Sequence, residues 1–168
     1  MPLIKASVRR LISRQGVARL ATAGRDGRPA VVPVTFVLVK DTVYHALDAK
    51  PKQVPSAQLR RVRNLLENPR SALLIDAYDE DWSRLWWVLL EGRGRLLESG
   101  SERARALGAL KRKYPQYRQG WLPEGAAVIA LDVDRLHQWK SGSPRQSSGS
   151  RQRSGSRRSR SAGPRNEP

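Results

Sequence analysis

Cysteine is absent from all 168 residues, which excludes a disulfide scaffold, a cysteine zinc site, an iron–sulfur cluster and a thiol nucleophile. Histidine occurs only at His45 and His137, too few for a His-rich metal site. Long apolar runs are missing as well. The longest, Leu85-Trp86-Trp87-Val88-Leu89-Leu90, falls far short of the roughly 20 residues that span a bilayer. Near the start, Arg9-Arg10-Leu11-Ile12 runs at once into Ser13-Arg14, so no secretory apolar core forms. These absences point to a soluble, cytoplasmic protein. Acid is scarce too: 32 Lys and Arg face 15 Asp and Glu, for a net charge of +17. Such an excess favours polyanionic partners, whether phosphates, polycarboxylates or nucleic acid.

Composition divides the chain at residue 140. Beyond it, seven Arg and a single acid, Glu167, stand among Ser, Gly and Pro, with Ala162 the lone aliphatic residue. That segment has too little apolar surface to offset its ordering entropy, so 141–168 reads as a disordered Arg/Ser/Gly-rich tail and 1–140 as the folded domain.

Within 1–140 the apolar period changes repeatedly. Residues 3–14 read as a helix with Ile4, Val8, Leu11 and Ile12 on one face. Residues 17–23 read as a strand, and Asp26-Gly27 signals a hairpin. The β-branched run 30–39 contains Pro33, which implies a bulge or an edge. With 42–48, these strands predict a three-stranded antiparallel meander. A basic loop over 49–55 leads to a helix with Ser56 as N-cap, running to Asn68 with Leu59, Val62, Leu65 and Leu66 as its apolar face. Residues 70–78 return as a strand. After the acidic loop Asp79-Glu80-Asp81, a strand pair is expected from Trp82 through Leu97. Ser99 with Glu102 resembles a capping box opening a helix whose buried side carries Ala104, Leu107 and Leu110. A last strand covers 126–133. The whole reads as mainly β with flanking helices, a small barrel.

No nucleophilic triad can be argued from spacing. His45 alternates with Val43 and Leu47 and reads as a core or interface histidine; His137 reads as structural or solvated. Asp79, Glu80 and Asp81 are consecutive in a turn and diverge, a poor cage for a hard cation. Gly92-Arg93-Gly94 fails as a dinucleotide fingerprint because Leu97 stands where a third glycine belongs. Two constellations remain. Lys50, Lys52, Arg60, Arg61 and Arg63 form an acid-free basic stretch, either a solvated helix face or a cradle for phosphate or carboxylate. Trp82, Arg84 and Trp86 would share one side of a strand, with Trp87 on the other, as core packing or as a stacking surface for a ring.

Several ordered motifs carry a resemblance: Arg19-Leu20-Ala21-Thr22, Asp26-Gly27-Arg28-Pro29, Val32-Pro33-Val34, Asp48-Ala49-Lys50-Pro51-Lys52, Arg61-Val62-Arg63-Asn64-Leu65, Asn68-Pro69-Arg70 and Asp81 to Val88. Over about residues 5–139 the chain resembles the pyridoxamine 5′-phosphate oxidase-like split β-barrel superfamily of flavin and deazaflavin proteins, in particular its actinobacterial, coenzyme F420-dependent branch. The resemblance implies a homodimer of six-stranded split barrels with a cofactor in each of two interface grooves. It implies that Lys50, Lys52, Arg61 and Arg63, with Asn64 adjacent, hold the cofactor phosphate, and that Pro33, Val34 and Thr35 lie along the ring. Trp82, Arg84 and Trp86 would come from the partner or from the groove wall. Gln53-Val54 stands where the branch commonly carries another basic residue, a departure that implies either a weaker phosphate grip or one shifted to Arg60.

The expected function is thus hydride transfer between coenzyme F420 and a small organic substrate, without a metal. The same fold with FMN is the alternative. A reading of another class is salt-dependent nucleic-acid binding through the basic tail. Deleting residues 141–168 should leave the melting temperature and cofactor affinity within error of the full chain, because the segment lacks apolar anchors. Thermal melts and cofactor titrations of the two chains measure this, and loss of folding would move the domain boundary.

Overall fold

The computed structural model describes residues 3–48 and 58–142. Seven strands form one antiparallel sheet: β1 (Ala18–Ala23), β2 (Pro29–Val34), β3 (Val37–Val39), β4 (Thr42–Ala46), β5 (Arg70–Ala77), β6 (Trp86–Leu97) and β7 (Val128–Lys140). Three helices flank it: α1 (Ala6–Ser13), α2 (Arg60–Glu67) and α3 (Gly100–Lys113). The strand order is β2-β1-β5-β6-β7-β4-β3.

That order forces the sheet to curl. A flat sheet of this width would hold its edge strands roughly 29 Å apart. Yet the two edges, β2 and β3, are joined by Thr35 and Phe36 alone, a link that reaches at most about 11 Å. The edges must therefore meet, and the sheet closes into a split barrel, as expected. The expected meander is corrected by the same fact. The run 30–39 breaks at Thr35-Phe36, and its two halves pair on opposite flanks, β2 with β1 and β3 with β4. Pro33 sits opposite Arg19 on the edge strand β2, where a missing donor is tolerated. The Asp26-Gly27 hairpin forms, with Gly27 at φ 71°.

Side chains alternate across the sheet. Val34, Leu73, Ile75, Val88, Leu90 and Leu131 fill the barrel with Phe36, and α1 plugs it with Ile4, Val8 and Ile12. Asp41 pins that plug: its carboxylate accepts the Leu3 and Ile4 N–H groups at 2.9 and 3.2 Å and pairs with Arg9 at 3.2 Å. A second core lies outside the barrel, where Ala106 and Leu110 of α3 cover Tyr44, Ala46, Val128 and Ala130. Strand β4 is consequently buried on both faces, and His45 is the core residue its alternation suggested, 5% exposed.

Four further expectations change. Helix α2 begins at Arg60, with Leu59 as N-cap and no side-chain cap. The helix is rolled away from its apolar stripe, so Asn64 is buried while Leu66 is 70% exposed. Ser99 makes no capping bond; Glu102 instead accepts two bonds from Arg95, at 2.7 and 2.9 Å, and one from Tyr44 at 2.9 Å. Ala104 faces solvent, and Ala106 and Ala109 take the buried side of α3. The last strand continues past Val133 to Lys140, pairing along the whole of β6. Gly92-Arg93-Gly94 lies inside β6, where a Cβ on Gly92 would stand 2.0 Å from the Asp132 carbonyl oxygen and one on Gly94 2.3 Å from Leu65. Close packing, not a ligand, requires these glycines.

Gly92→Ala should destabilise the protein by about 3 kcal/mol, since backbone on the facing strand cannot yield. Gly108→Ala, in mid-helix with its nearest neighbour 3.6 Å away, should stabilise by about 1 kcal/mol. Urea unfolding of both variants measures the opposite signs.

Candidate cofactor site

Helix α2 sets the first half of the site. Val62 and Leu65 anchor it in the barrel core, and the buried Asn64 donates from Nδ2 to Thr22 Oγ1 of β1 at 3.1 Å. Asn64 therefore serves to fix the roll of the helix. That roll turns Arg61 toward the protein. Arg61 is half-buried, and burial pushes its guanidinium below the usual arginine range, with the nearby Asp48 carboxylate acting the other way. Its Nε is buried with no hydrogen-bond partner among the described residues. A desolvated cation with an unused N–H is a costly arrangement unless an anion supplies the missing acceptor.

The seam between β2 and β3 sets the second half. Thr35 is half-buried and its carbonyl accepts from His45 Nδ1 at 3.0 Å. Its hydroxyl bonds to Tyr117, whose phenol also donates to Asp48 Oδ2 at 2.9 Å. Phe36 is fully buried and clamped: its N–H donates to Tyr114 Oη at 2.9 Å and its carbonyl accepts from Lys113 Nζ at 2.9 Å. Lys113 Nζ also stands 3.9 Å from the Phe36 ring centre. Burial lowers this amine to about 8 and raises the Tyr114 phenol to about 12. Thr35, Asp48 and Arg61 thus belong to one polar region; Asp48 and Arg61 stand in the motifs that carried the resemblance, whereas Tyr117, which joins Thr35 to Asp48, belongs to none of them.

The other expected site residues scatter. Pro33 is exposed on the edge strand, whereas Val34 points into the core at 3% exposure. Arg63 and Arg60 face solvent, Arg60 with a long bond to the Arg28 carbonyl at 3.5 Å. Lys50 and Lys52, like the Ser56 cap and the tail from residue 143, lie outside the described residues.

Trp82, Arg84 and Trp86 do not share a strand face. Trp82–Arg84 is a 3-10 turn capped by Asp81, which accepts from Ser83 N and Oγ at 3.0 and 2.7 Å. Trp82 is 72% exposed and Arg84 pairs with Asp79 at 3.4 Å, while Trp86 is 9% exposed and packs in the barrel core. The residues missed are Trp87 and Trp139, which pair across β6 and β7. With Tyr78, Leu74 and Leu89 they line an apolar groove of about 430 Å³ on the sheet's outer face. Alternation within a longer last strand would have revealed Trp139.

Strand β6 keeps the two constellations apart. Val62 shares a cleft with Leu96 and Leu47, and Trp86 lies ten residues back along β6, roughly 30 Å. Among the described residues no group of three or more His, Asp or Glu could hold a metal, and no helix is long and apolar enough to cross a membrane.

Comparison with known proteins adds the following. The family model described as pyridoxamine 5′-phosphate oxidase matches residues 4–140. No curated protein matches the sequence. Solved structures share the fold. The conserved hypothetical protein Rv2991 from Mycobacterium tuberculosis aligns with TM-score 0.66 at 18% identity, covering 82% of this chain and 85% of that one. A heme binding protein from Mycobacterium smegmatis aligns with TM-score 0.64 at 23% identity over 82% of this chain, which spans only 53% of that protein. A FAD-binding protein from Mesorhizobium loti aligns with TM-score 0.59 at 16% identity, covering 80% and 94%.

Replacing Trp86 with Ala should cost about 3–5 kcal/mol, as for other buried aromatics. Trp82→Ala should change stability by less than about 0.5 kcal/mol, as at exposed positions. Chemical unfolding of the pair measures the contrast.

Proposed function

The chain belongs to the pyridoxamine 5′-phosphate oxidase family, and from that premise we propose that it is an oxidoreductase using coenzyme F420 as hydride carrier on a small organic substrate. The observation that carries the reading is Arg61, a half-buried guanidinium whose buried Nε has no hydrogen-bond partner among the described residues. The net charge of +17 suits a cofactor bearing a phosphate and an oligoglutamate chain. Two mycobacterial fold relatives agree with an actinobacterial branch. FMN is the second reading, favoured by the family itself and by the FAD-binding relative.

When bound, the deazaflavin supplies the hydride chemistry, and the protein supplies binding, orientation and exclusion of water. Arg61 offers a planar set of donors to the phosphate, and Lys50 and Lys52, which the resemblance assigns to the same grip, would add ammonium charges to it. Arg63, being exposed, contributes field more than contact. Thr35 and Pro33 border the ring, while Val34 anchors their strand in the core and Asn64 fixes α2 through Thr22. No nucleophile is required of any side chain.

A second copy of the chain completes the groove in this reading. Among the described residues no helix packs on the outer face of the sheet around Trp87, Trp139 and Tyr78, which are exposed, and an exposed aromatic cluster of this kind suits an interface. The partner's copy of the tryptophan turn would then reach a site that β6 holds away from its own. The basic tail adds nonspecific contact with nucleic acid, and the protein acts in the cytoplasm.

Titration with coenzyme F420 and FMN side by side tests the reading. F420 should bind more tightly, and Arg61→Ala should weaken it about ten- to a hundredfold, the worth of one charged hydrogen bond. Sedimentation of the same samples should give a dimer at micromolar concentration. Equal affinity of wild type and variant, with equal melting temperatures, overturns the assignment of Arg61.

A further inference from the structure

Charge is sorted across this molecule. On the outer face of the sheet the cations have counter-charges: Arg19 pairs with Asp76, Arg70 with Asp134 at 3.0 Å and Arg135 with Glu91 at 3.9 Å. The helical side differs. Residues 1–25 and 103–123 each hold six Lys and Arg and no acid. Packing brings the two stretches together, because the Tyr114 hydroxyl at the end of α3 lies 3.0 Å from the Gly16 carbonyl just past α1. Lys113 and Arg103 donate to the Phe36 and Ala126 carbonyls, and Arg9 pairs with Asp41. Arg10, Arg14, Arg105, Lys111, Arg112 and Arg118 remain exposed, and none of them makes an ion pair among the described residues. Glu102 does not serve them, since Arg95 holds it with two bonds.

The helix dipoles do not account for so many cations. Each C-terminus carries about half a negative charge, so α1 and α3 together call for roughly one. Six unpaired cations on one side of a small domain repel each other, and a bound polyanion removes that cost. The surface also has a channel. Between α3 and the β3–β4 hairpin lies a groove of about 500 Å³, bordered by Arg105 and Arg112 and lined by Ala104, Gly108 and Val39. The two arginines are two helical turns apart, roughly 10 Å. The small side chains between them let a phosphodiester chain approach the helix, whereas a duplex would touch only the rim. Helix α3 carries no exposed large apolar side chain, so it offers a lipid layer nothing to insert. At its far end Arg118 donates to the Lys111 carbonyl at 2.9 Å, and three residues on Trp121 is 46% exposed, an open ring face on which a base can stack.

We infer that the α3 face is a docking surface for single-stranded nucleic acid, with phosphates held by Arg105 and Arg112 at the groove and Lys111 beside it, and a base stacked on Trp121. The surface is independent of the cofactor reading. It is also distinct from the tail, which leaves the fold at the opposite end of β7 from the part that α3 covers.

The experiment titrates the full-length protein with a fluorescent oligothymidylate over a range of salt. Combining Arg105→Gln, Lys111→Gln and Arg112→Gln should reduce the slope of log K against log salt by about 2, at about 0.7 per phosphate contact, and weaken binding about a hundredfold at about 0.1 M salt. The same loss of charge on the paired face, Arg19→Gln with Arg70→Gln and Arg135→Gln, should leave the slope within error. Trp121→Ala should weaken the strand about tenfold at unchanged slope, because stacking releases no counterions. The tail is intact throughout, so binding through the tail alone predicts no change in any variant. An unchanged slope in the helix variant, an equal drop in the sheet variant, or no loss with Trp121→Ala overturns the inference. So does an equal loss for duplex of the same sequence, for poly-glutamate or for phosphatidylserine–phosphatidylcholine vesicles, which would mark a surface that reads charge alone. Thermal melts guard the comparison: should the triple variant fail to fold, each single substitution must lower the slope by about 0.7, and wild-type slopes in all three overturn the inference.

Discussion

Two residues, Thr35 and Phe36, constrain this molecule more than any others. They join strands that lie at opposite edges of a seven-stranded sheet, so the sheet has no choice but to curl. The link cannot form backbone ladders of its own, and its polar groups must be satisfied otherwise. Tyr114, Tyr117, Lys113 and His45 do so from the end of α3, the 3-10 turn that follows it and β4. Closing the barrel therefore draws a dense set of polar and titratable groups to one end of it.

That concentration of polar groups is the reason a binding site can arise there. A barrel filled with Ile, Leu and Val offers nothing to an anion. At the seam, by contrast, Asp48 and Arg61 sit in reduced dielectric, where each charge acts more strongly than at the surface. The same site explains why α2 is rolled away from its apolar stripe. Asn64 gains a hydrogen bond to Thr22 and Arg61 gains the neighbourhood of Asp48, at the expense of leaving Leu66 in water. Elsewhere the large positive excess is handled by exposed pairs such as Arg70–Asp134 and Arg84–Asp79, which contribute little to stability individually.

The outer face obeys a different constraint. Helix α3 covers β4 and the first part of β7, helix α1 plugs the barrel, and α2 meets β1 and β6 from the barrel side, so among the described residues no helix covers the outer face of β1, β5 and β6. Trp87 opposite Trp139, and Leu74 opposite Leu89, therefore stay accessible. Polar groups set between them, Arg19 paired with Asp76 and His137 hydrogen-bonded to Glu91, keep the face from being uniformly greasy. A face of this kind serves an oligomer better than a monomer.

Local physics sufficed for a good part of the fold. Asp26-Gly27 marks a hairpin because glycine adopts positive φ without strain. Pro33 marks an edge because it has no donor, and the alternation of 70–77 gives a strand because successive side chains point to opposite faces. The motifs from Arg19 to Val88 carried the family. What the sequence left open involves partners distant along the chain. Periodicity alone could not choose between Asn64 and Leu66, since the choice depends on Thr22. Trp82-Ser83-Arg84 alternates like a strand, but Asp81 captures its backbone in a turn. Ser99 and Glu102 have the spacing of a capping box, but Arg95 offers Glu102 a stronger, bidentate charge partner. The meeting of Thr35, Asp48 and Tyr117 was decided by barrel closure alone, because no periodicity or spacing rule links residues 69 and 82 positions apart.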